Sequence, residues 1–377
     1  MSDRARTAAH SPTLEDVARA AGVSRATVSR VINGTRNVDP EIQRTVRDAV
    51  TATGYVPNRA ARALVTRRAD TVALVVSGAG ADTGPPGADT GPPGAGTGPP
   101  DDGSAHGGEE RDGDAGGPLF GDPFFGRIAA GVVEFLRPRG MHPVLMLAES
   151  PAARDQVFDY LRRGHADGAV LVSTHAADPL PARLVEAGVP AVLFARPPRP
   201  LPVSYVDLAH RDGARLAAEH LLARGCRRVA TVNGPLDVLA CQERAAGFQD
   251  AMARAGSPYF PSVEGNFTLE SGERAMAELM ARHPGLDGLF VANDLMAQGA
   301  LHVLREQGRR VPEDVAVVGF DDSSAARAAR PRLTTVRQPV ERMAAEMTRL
   351  LLEHVEQPDR SPASVIFEPT LVTRHSA

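Results

Sequence analysis

From residue 13 to residue 54 the apolar positions recur at helical spacing in three short sets; from residue 70 onward they gather into brief continuous runs separated by longer amphipathic stretches. Thr13 precedes the first set and Asp16 follows three residues later, the arrangement of a capping box, so a helix is predicted from Leu14. Val17, Ala18 and Ala21 share its inner face and are small enough to admit a second helix closely, while Gly22 supplies the turn. Ser24 caps the second helix, with Val28, Val31 and Ile32 facing inward. Asp39 and Pro40 open a third, which buries Val46, Ala49 and Val50 and ends near residue 53, ahead of Gly54.

The runs TVALVV, PVLMLA, GAVLVS, AVLFA, RVATV, GLFVA and DVAVVGF read as buried parallel strands, and the intervening stretches 124–137, 209–224 and 294–307 as crossover helices. The expected architecture is an all-α N-terminal domain followed by a doubly wound α/β core. Residues 78–118 interrupt the pattern: GADTGPP occurs twice in tandem, GAGTGPP follows, and then DDGSAHGGEERDGD. This composition predicts a disordered insertion, with slippage of a short repeat into a tolerant loop as its simplest origin. Gly78, Gly80 and Gly84 imitate a dinucleotide-binding turn, but Pro85 and Pro86 stand where a helix N-terminus would receive the pyrophosphate.

The polar face of the second helix changes the picture from fold to function. Arg25, Ala26, Ser29, Arg30 and Asn33 point away from its apolar side. Arg forms two hydrogen bonds to one guanine, Ser and Asn hold phosphates, and a small Ala fits against a thymine methyl, so the pair of helices is expected to be a helix-turn-helix reader of the major groove. Charge agrees: residues 1–70 hold 12 Arg against 7 acidic residues, whereas the rest of the chain holds 30 against 39. Lys is absent throughout. Cys226 and Cys241 are too few for a disulfide framework and are expected to be packing residues. No apolar run approaches the roughly 20 residues of a membrane span, and none follows the basic residues at the N-terminus, so a cytoplasmic protein with no membrane partner is expected. No GxSxG, HExxH or P-loop is present, and the expectation is a protein that is not an enzyme and needs no metal or cofactor.

The blocks TLEDVARAAGVSRATVSRVING and GYVPNRAARAL, with the core segments DPFFGRIAAGV, ERAAGF, VANDLMAQGAL, VVGFDD and TTVRQP, closely resemble the lactose-repressor (LacI) family over almost the whole chain. The resemblance implies two Rossmann-like lobes of the periplasmic-binding-protein type, joined by three crossings, with a small-molecule effector in the cleft: a sugar, a sugar derivative or a nucleoside. It implies a homodimer on palindromic double-stranded operator DNA, paired hinge helices, and Leu64 wedged into the minor groove. Thr13, Ser24, Thr27, Asn58 and Ala61 complete the expected DNA contacts. The expected boundaries are 1–56 for the reader, 57–69 for hinge and linker, and 70–377 for the core. The chain stops at TLVTRHSA, directly after the last strand, so no tetramerising helix is expected.

In the cleft, Asp122 and Pro123 start a helix that brings Phe124 and Phe125 to its edge, and aromatic faces there suit a sugar or nucleoside ring. Arg244 falls where the family uses an Arg to hold ligand hydroxyls, and Phe267 matches an aromatic that stacks on the effector. Asn293, Asp294 and Asp321 follow strand ends, where α/β sheets bind ligands, and Gln338 lies at a crossover. For Asp294 and Asp322 the competing role is helix capping and inter-strand bonding. The family often has Asp-Arg where this chain has Ala195 and Arg196, which predicts either an effector poorer in hydroxyls or an anion held by Arg196 and Arg244. The alternative to a ligand-responsive repressor is a regulator whose cleft binds no small molecule.

Overall fold

The computed structural model describes residues 12–32, 38–56, 68–77, 123–173 and 177–377. The expected hinge, with Asn58, Ala61 and Leu64, lies outside the described residues, as do Asn33, Asp122 and the repeat tract 78–118. The chain divides into two compact units: one runs to Thr71 and takes in Gly164–Asp167, the other holds Val72–Arg163 and Gly168–Ala377.

In the first unit, helix α1 (Leu14–Ala21) starts at the expected capping box, with Thr13 and Asp16 bonded reciprocally, and ends at Gly22 in the left-handed region, φ 65°. Helix α2 (Arg25–Ile32) begins where Ser24 Oγ accepts from the backbone N–H of Thr27. Helix α3 (Pro40–Thr53) is capped by Asp39 and stopped by Gly54. Val17, Ala21, Val28, Val46 and Ala49 close a small core, with Val31, Ile32 and Val50 packed around it.

The second unit is built on two six-stranded sheets among the described residues. The first has the order β11-β5-β4-β3-β1-β2 and is formed by β1 (Thr71–Ser77), β2 (His142–Ala148), β3 (Gly168–Ser173), β4 (Ala191–Phe194), β5 (Ser204–Leu208) and β11 (Ser364–Phe367). The second has the order β12-β10-β9-β8-β6-β7, from β6 (Val229–Asn233), β7 (Ser262–Glu264), β8 (Gly288–Val291), β9 (Ala316–Asp321), β10 (Thr334–Arg337) and β12 (Thr370–Val372). The chain passes between the sheets after β5, after β10 and again between β11 and β12, which are the three crossings expected of a two-lobed core. β11 returns to pair in parallel with β5, and β12 closes the second sheet antiparallel to β10.

All seven apolar runs became strands. β5, β7, β10, β11 and β12 were not anticipated: polar residues stand among their apolar ones, and β11 alternates exposed and half-buried positions, so they lack the continuous apolar signature of a strand covered on both faces. The helices are α4 (Pro123–Leu136), α5 (Pro151–Arg162), α6 (Leu180–Glu186), α7 (His210–Ala223), α8 (Leu239–Arg254), α9 (Leu269–Arg282), α10 (Asp294–Glu306), α11 (Ser324–Ala328) and α12 (Val340–Glu356). One core runs from β1, β3, β4 and β5 under α4 and α12 into α7 and α8 on the second sheet. Another fills the opposite face of that sheet beneath α9 and α10.

Candidate DNA-reading surface and effector cleft

On α2 the apolar side is consumed by packing and the polar side is left outward. Val28 is fully buried, whereas Arg25, Ala26 and Arg30 are exposed and Thr27 and Ser29 are half-buried at the margin. Ser24 and Thr27 hydroxyls lie 2.9 Å apart at the helix start, where the backbone N–H groups favour an anion such as phosphate. Arg25 is held 3.0 Å from Glu15 of α1, an exposed pair that costs little to open. Residues 12–32 and 38–56 hold five Arg and five acidic residues, so the basic excess of the N-terminal 70 residues lies on the segments that flank and connect the helices.

The cleft residues converge on Arg244, which α8 carries into a nearly closed site, 6% exposed. Its guanidinium lies over the ring of Phe320 at 3.7 Å. Nε donates to His210 Nδ1 at 3.3 Å, Nη1 to the carbonyl of Ala292, and Nη2 to Gln338 Oε1 at 3.3 Å, with Asp321 Oδ1 3.7 Å away. Each terminal nitrogen carries a second N–H, so the group keeps donor capacity. Asn293 caps α10 through Oδ1 and donates from Nδ2 to the carbonyl of Phe267 at 3.0 Å, tying the aromatic to the strand end beside Ala292. Phe124 meets Phe125 and Phe194 edge to face, with ring centres 5.3 and 5.2 Å apart, and so stands beside the chain that continues into Ala195 and Arg196. Arg196 reaches Glu243 of α8 at 3.4 Å, across a cavity of about 200 Å³ also lined by Ala195, Leu208, His210 and Leu239.

Backbone strain collects at the same place. Ala195, Phe267, Asp321 and Asp322 are non-glycine residues with positive φ, at 76°, 69°, 107° and 53°. Conformations of that kind persist where the surroundings over-determine them, and they cluster at ligand clamps.

Asp294 is placed behind this site. It is fully buried, its Oδ1 accepts from the Thr335 hydroxyl at 2.6 Å and its Oδ2 from the Ser323 N–H at 2.7 Å. Burial and the nearby Asp322 charge push its carboxyl up to about 6. Asp322 is itself buried and paired with Arg337 and Arg374. These are the bracing roles that competed with ligand contact in the sequence. In this arrangement each cation of the expected anion site has a carboxylate within reach, Arg196 has Glu243 at 3.4 Å and Arg244 has Asp321 at 3.7 Å, so an anion held by both would compete with these pairs. Cys241 lies under Phe267 and Gly234, and burial pushes its thiol up to about 12, so it packs as a neutral group.

Four polar residues of the site escaped the sequence reading: Arg127, Asp207, His210 and Glu243, the last because its partner Arg196 lies 47 residues away. Arg127 of α4 grips Glu341 with Nε at 2.6 Å and Nη2 at 2.8 Å, and donates to the carbonyls of Asp321 at 2.9 Å and Gln338 at 3.0 Å. Its signal was a lone cation in the apolar run PFFGRIAAGVV. His210 and Asp207 pair three residues apart, but their meeting with Arg244, 34 residues further along the chain, gave no signal in the spacing. Among the described residues no group of three His, Cys, Asp or Glu is placed to hold a metal, and no helix is long and apolar enough to cross a membrane.

Comparison with known proteins agrees with this geometry. Residues 13–58 match the model of bacterial regulatory proteins of the lacI family, and residues 218–377 match a periplasmic binding protein-like domain. The transcriptional regulator CelR of Thermobifida fusca is 43% identical over 370 residues, covering 97% of this chain and 98% of its own length. GalR of Escherichia coli is 30% identical over 367 residues, 97% of this chain and 95% of its own. A solved complex of CelR with cellobiose superposes with a TM-score of 0.69 at 41% identity, covering 97% of this chain and all of that one. The Lac repressor dimer bound to operator and an anti-inducer shares the fold, with a TM-score of 0.76 at 24% identity and coverage of 97% and 99%. The chain therefore belongs to the LacI family of HTH-type transcriptional regulators, with a DNA-reading N-terminal domain and a two-sheet periplasmic-binding-protein-like core.

Proposed function

We propose that the protein is a homodimeric cytoplasmic repressor, without enzymatic activity, that reads a palindromic operator and responds to cellobiose or a closely related neutral disaccharide. The observation that carries the effector reading is the compensated cleft. Arg244 with Asp321, and Arg196 with Glu243, offer donors and acceptors side by side with little net charge, which suits hydroxyls better than a phosphate or carboxylate. The choice of sugar is supported by the CelR–cellobiose complex, from a relative alike over nearly the whole chain. In this reading Phe124, Phe125 and Phe267 meet the apolar faces of the sugar rings, while Arg196, Arg244, Asn293, Asp321 and Gln338 hold hydroxyls. Asp294 braces the site from behind.

For DNA, Arg25, Ala26 and Arg30 read bases, and Thr13, Ser24, Thr27 and Ser29 hold phosphates. Asn33, Asn58, Ala61 and Leu64 extend the contact, on the strength of the family resemblance. The assignment divides the chain at 1–56, 57–69 and 70–377. The test is calorimetry of the purified protein against cellobiose, glucose and a phosphorylated disaccharide, followed by operator binding with and without the ligand that binds. Cellobiose binding that changes operator affinity supports the reading. Binding of the phosphorylated sugar alone refutes the neutral effector, and no binding by any of the three refutes cellobiose as the effector.

A further inference from the structure

We propose that His210 is a positioning residue for Arg244: its neutral ring, fixed on one edge by Asp207, holds the guanidinium in the orientation that meets the effector. The inference rests on Arg244 contacting the effector, as argued above. His210 is the first residue of α7, directly after the chain leaves β5, and it is 5% exposed. Its Nδ1 accepts from Arg244 Nε at 3.3 Å, and its Nε2 lies 3.5 Å from Asp207 Oδ1. Arg244 has only protons to offer and ionised Asp207 only lone pairs, so one tautomer fits: the proton sits on Nε2 and the Nδ1 lone pair faces the arginine. Imidazole accepts at one edge and donates at the other, and both edges are used. Phe320 completes the frame, with the imidazole ring centred 5.9 Å from it and the guanidinium stacked at 3.7 Å. The arginine is thus fixed in plane by the histidine and in tilt by the phenylalanine.

A second proton on the ring would remove the acceptor and set a cation against Arg244. The charged groups facing the ring are Asp207 from β5, with Arg244 and Glu243 from α8; Asp321 of β9 lies beyond Arg244. Burial and then Arg244 hold His210 below the usual histidine range, against the opposing pull of Asp207 and Glu243. The cavity lined by Asp207, His210 and Glu243 gives a proton a route to the ring.

The test uses the full-length protein and cellobiose as the probe. His210→Leu removes the acceptor, whereas His210→Asn keeps an oxygen near the position of Nδ1. The Leu variant is expected to bind cellobiose about tenfold more weakly, the weight of one charge-assisted hydrogen bond, and the Asn variant to recover most of that loss. Cellobiose affinity of the wild type should fall on acidification below the usual histidine range, and that of the Asn variant should fall less. In ¹⁵N NMR of the ligand-free protein the His210 proton should lie on Nε2. Full affinity in the Leu variant, an Asn variant no better than Leu, or a proton on Nδ1 would each overturn the proposal. If the Leu variant does not fold, the tautomer and the pH profile decide. If the wild type binds no cellobiose, or Arg244→Ala binds it unchanged, the effector reading fails instead, and the tautomer measurement still decides whether His210 holds Arg244.

Discussion

Arg30 and Asp294 show how far the role of a single residue depends on what its neighbours leave it to do. Arg30 is exposed on the outward side of α2. A bidentate arginine–guanine contact discriminates against a wrong base by about 1–3 kcal/mol, so Arg30→Ala should lose roughly that much on operator DNA and much less on random DNA. Equal losses on both in a binding titration would make it a phosphate contact. Asp294 is the reverse case, a carboxylate with no exposure and both oxygens taken. Its folded value of about 6 stands above the ordinary 3.8, so the folded state holds the proton more tightly than the unfolded chain. The sign follows from linkage: its burial penalty is fully present above about pH 6 and is relieved as pH falls toward 4. The wild type should therefore gain stability relative to Asp294→Asn between pH 7 and pH 4.5 in urea unfolding, and a pH-independent difference would show that the carboxyl is not raised. Strand-end position was readable from the sequence for both Asp294 and Asp321. Which of them is enclosed was not, because that depends on Thr335 and Ser323 arriving from distant segments.

At the scale of elements, close helix contact in the second lobe depends on glycine where α9 crosses α10. A Cβ on Gly272 would fall 2.1 Å from the Met296 carbonyl oxygen, and one on Gly299 would fall 2.1 Å from that of Leu269. The two helices therefore touch backbone to backbone at reciprocal positions. Gly272→Ala and Gly299→Ala should each force the pair apart and destabilise by about 1–3 kcal/mol, the cost of overpacking, although Ala is the better helix former. Gly126, on the first turn of α4, has open space around its Cβ position, so Gly126→Ala should be neutral or stabilising and serves as the control in thermal unfolding. The helices themselves were legible because their limits are local: Thr13 with Asp16, Asp39 with Pro40, and Gly54 each act within one turn. The edge strands were not legible, since β11 and β12 are held by pairing with β5 and β10, more than 30 residues away in sequence. The two-lobe division came from the family resemblance, because apolar runs alone do not record the sheet to which each strand belongs.

For the molecule as a whole, effector control needs a physical connection between the lobes that answers to the cleft, and Arg127 provides one. It sits on α4, against the first sheet, three residues beyond Phe124, and it grips carbonyls of Asp321 at the end of β9 and Gln338 at a crossing. Gln338 also accepts from Arg244, so one residue joins the cleft arginine to the α4 arginine. A ligand that draws on Arg244 or Asp321 must then disturb the contacts of Arg127, whichever direction the lobes move. Coupling between effector and operator is a reciprocal free energy, and single residues along such a connection modulate it by roughly 0.5–2 kcal/mol. Arg127→Gln keeps a donor but loses the charge and the fork that spans Glu341 and the two carbonyls. The ratio of operator affinities with and without saturating cellobiose should therefore shrink severalfold, while cellobiose affinity in the absence of DNA changes less. Glu341→Gln, which keeps the carbonyl bonds and weakens only the ion pair, should produce a smaller effect of the same sign. An unchanged ratio in Arg127→Gln, with effector binding intact, would mean that the signal leaves the cleft by a route other than α4.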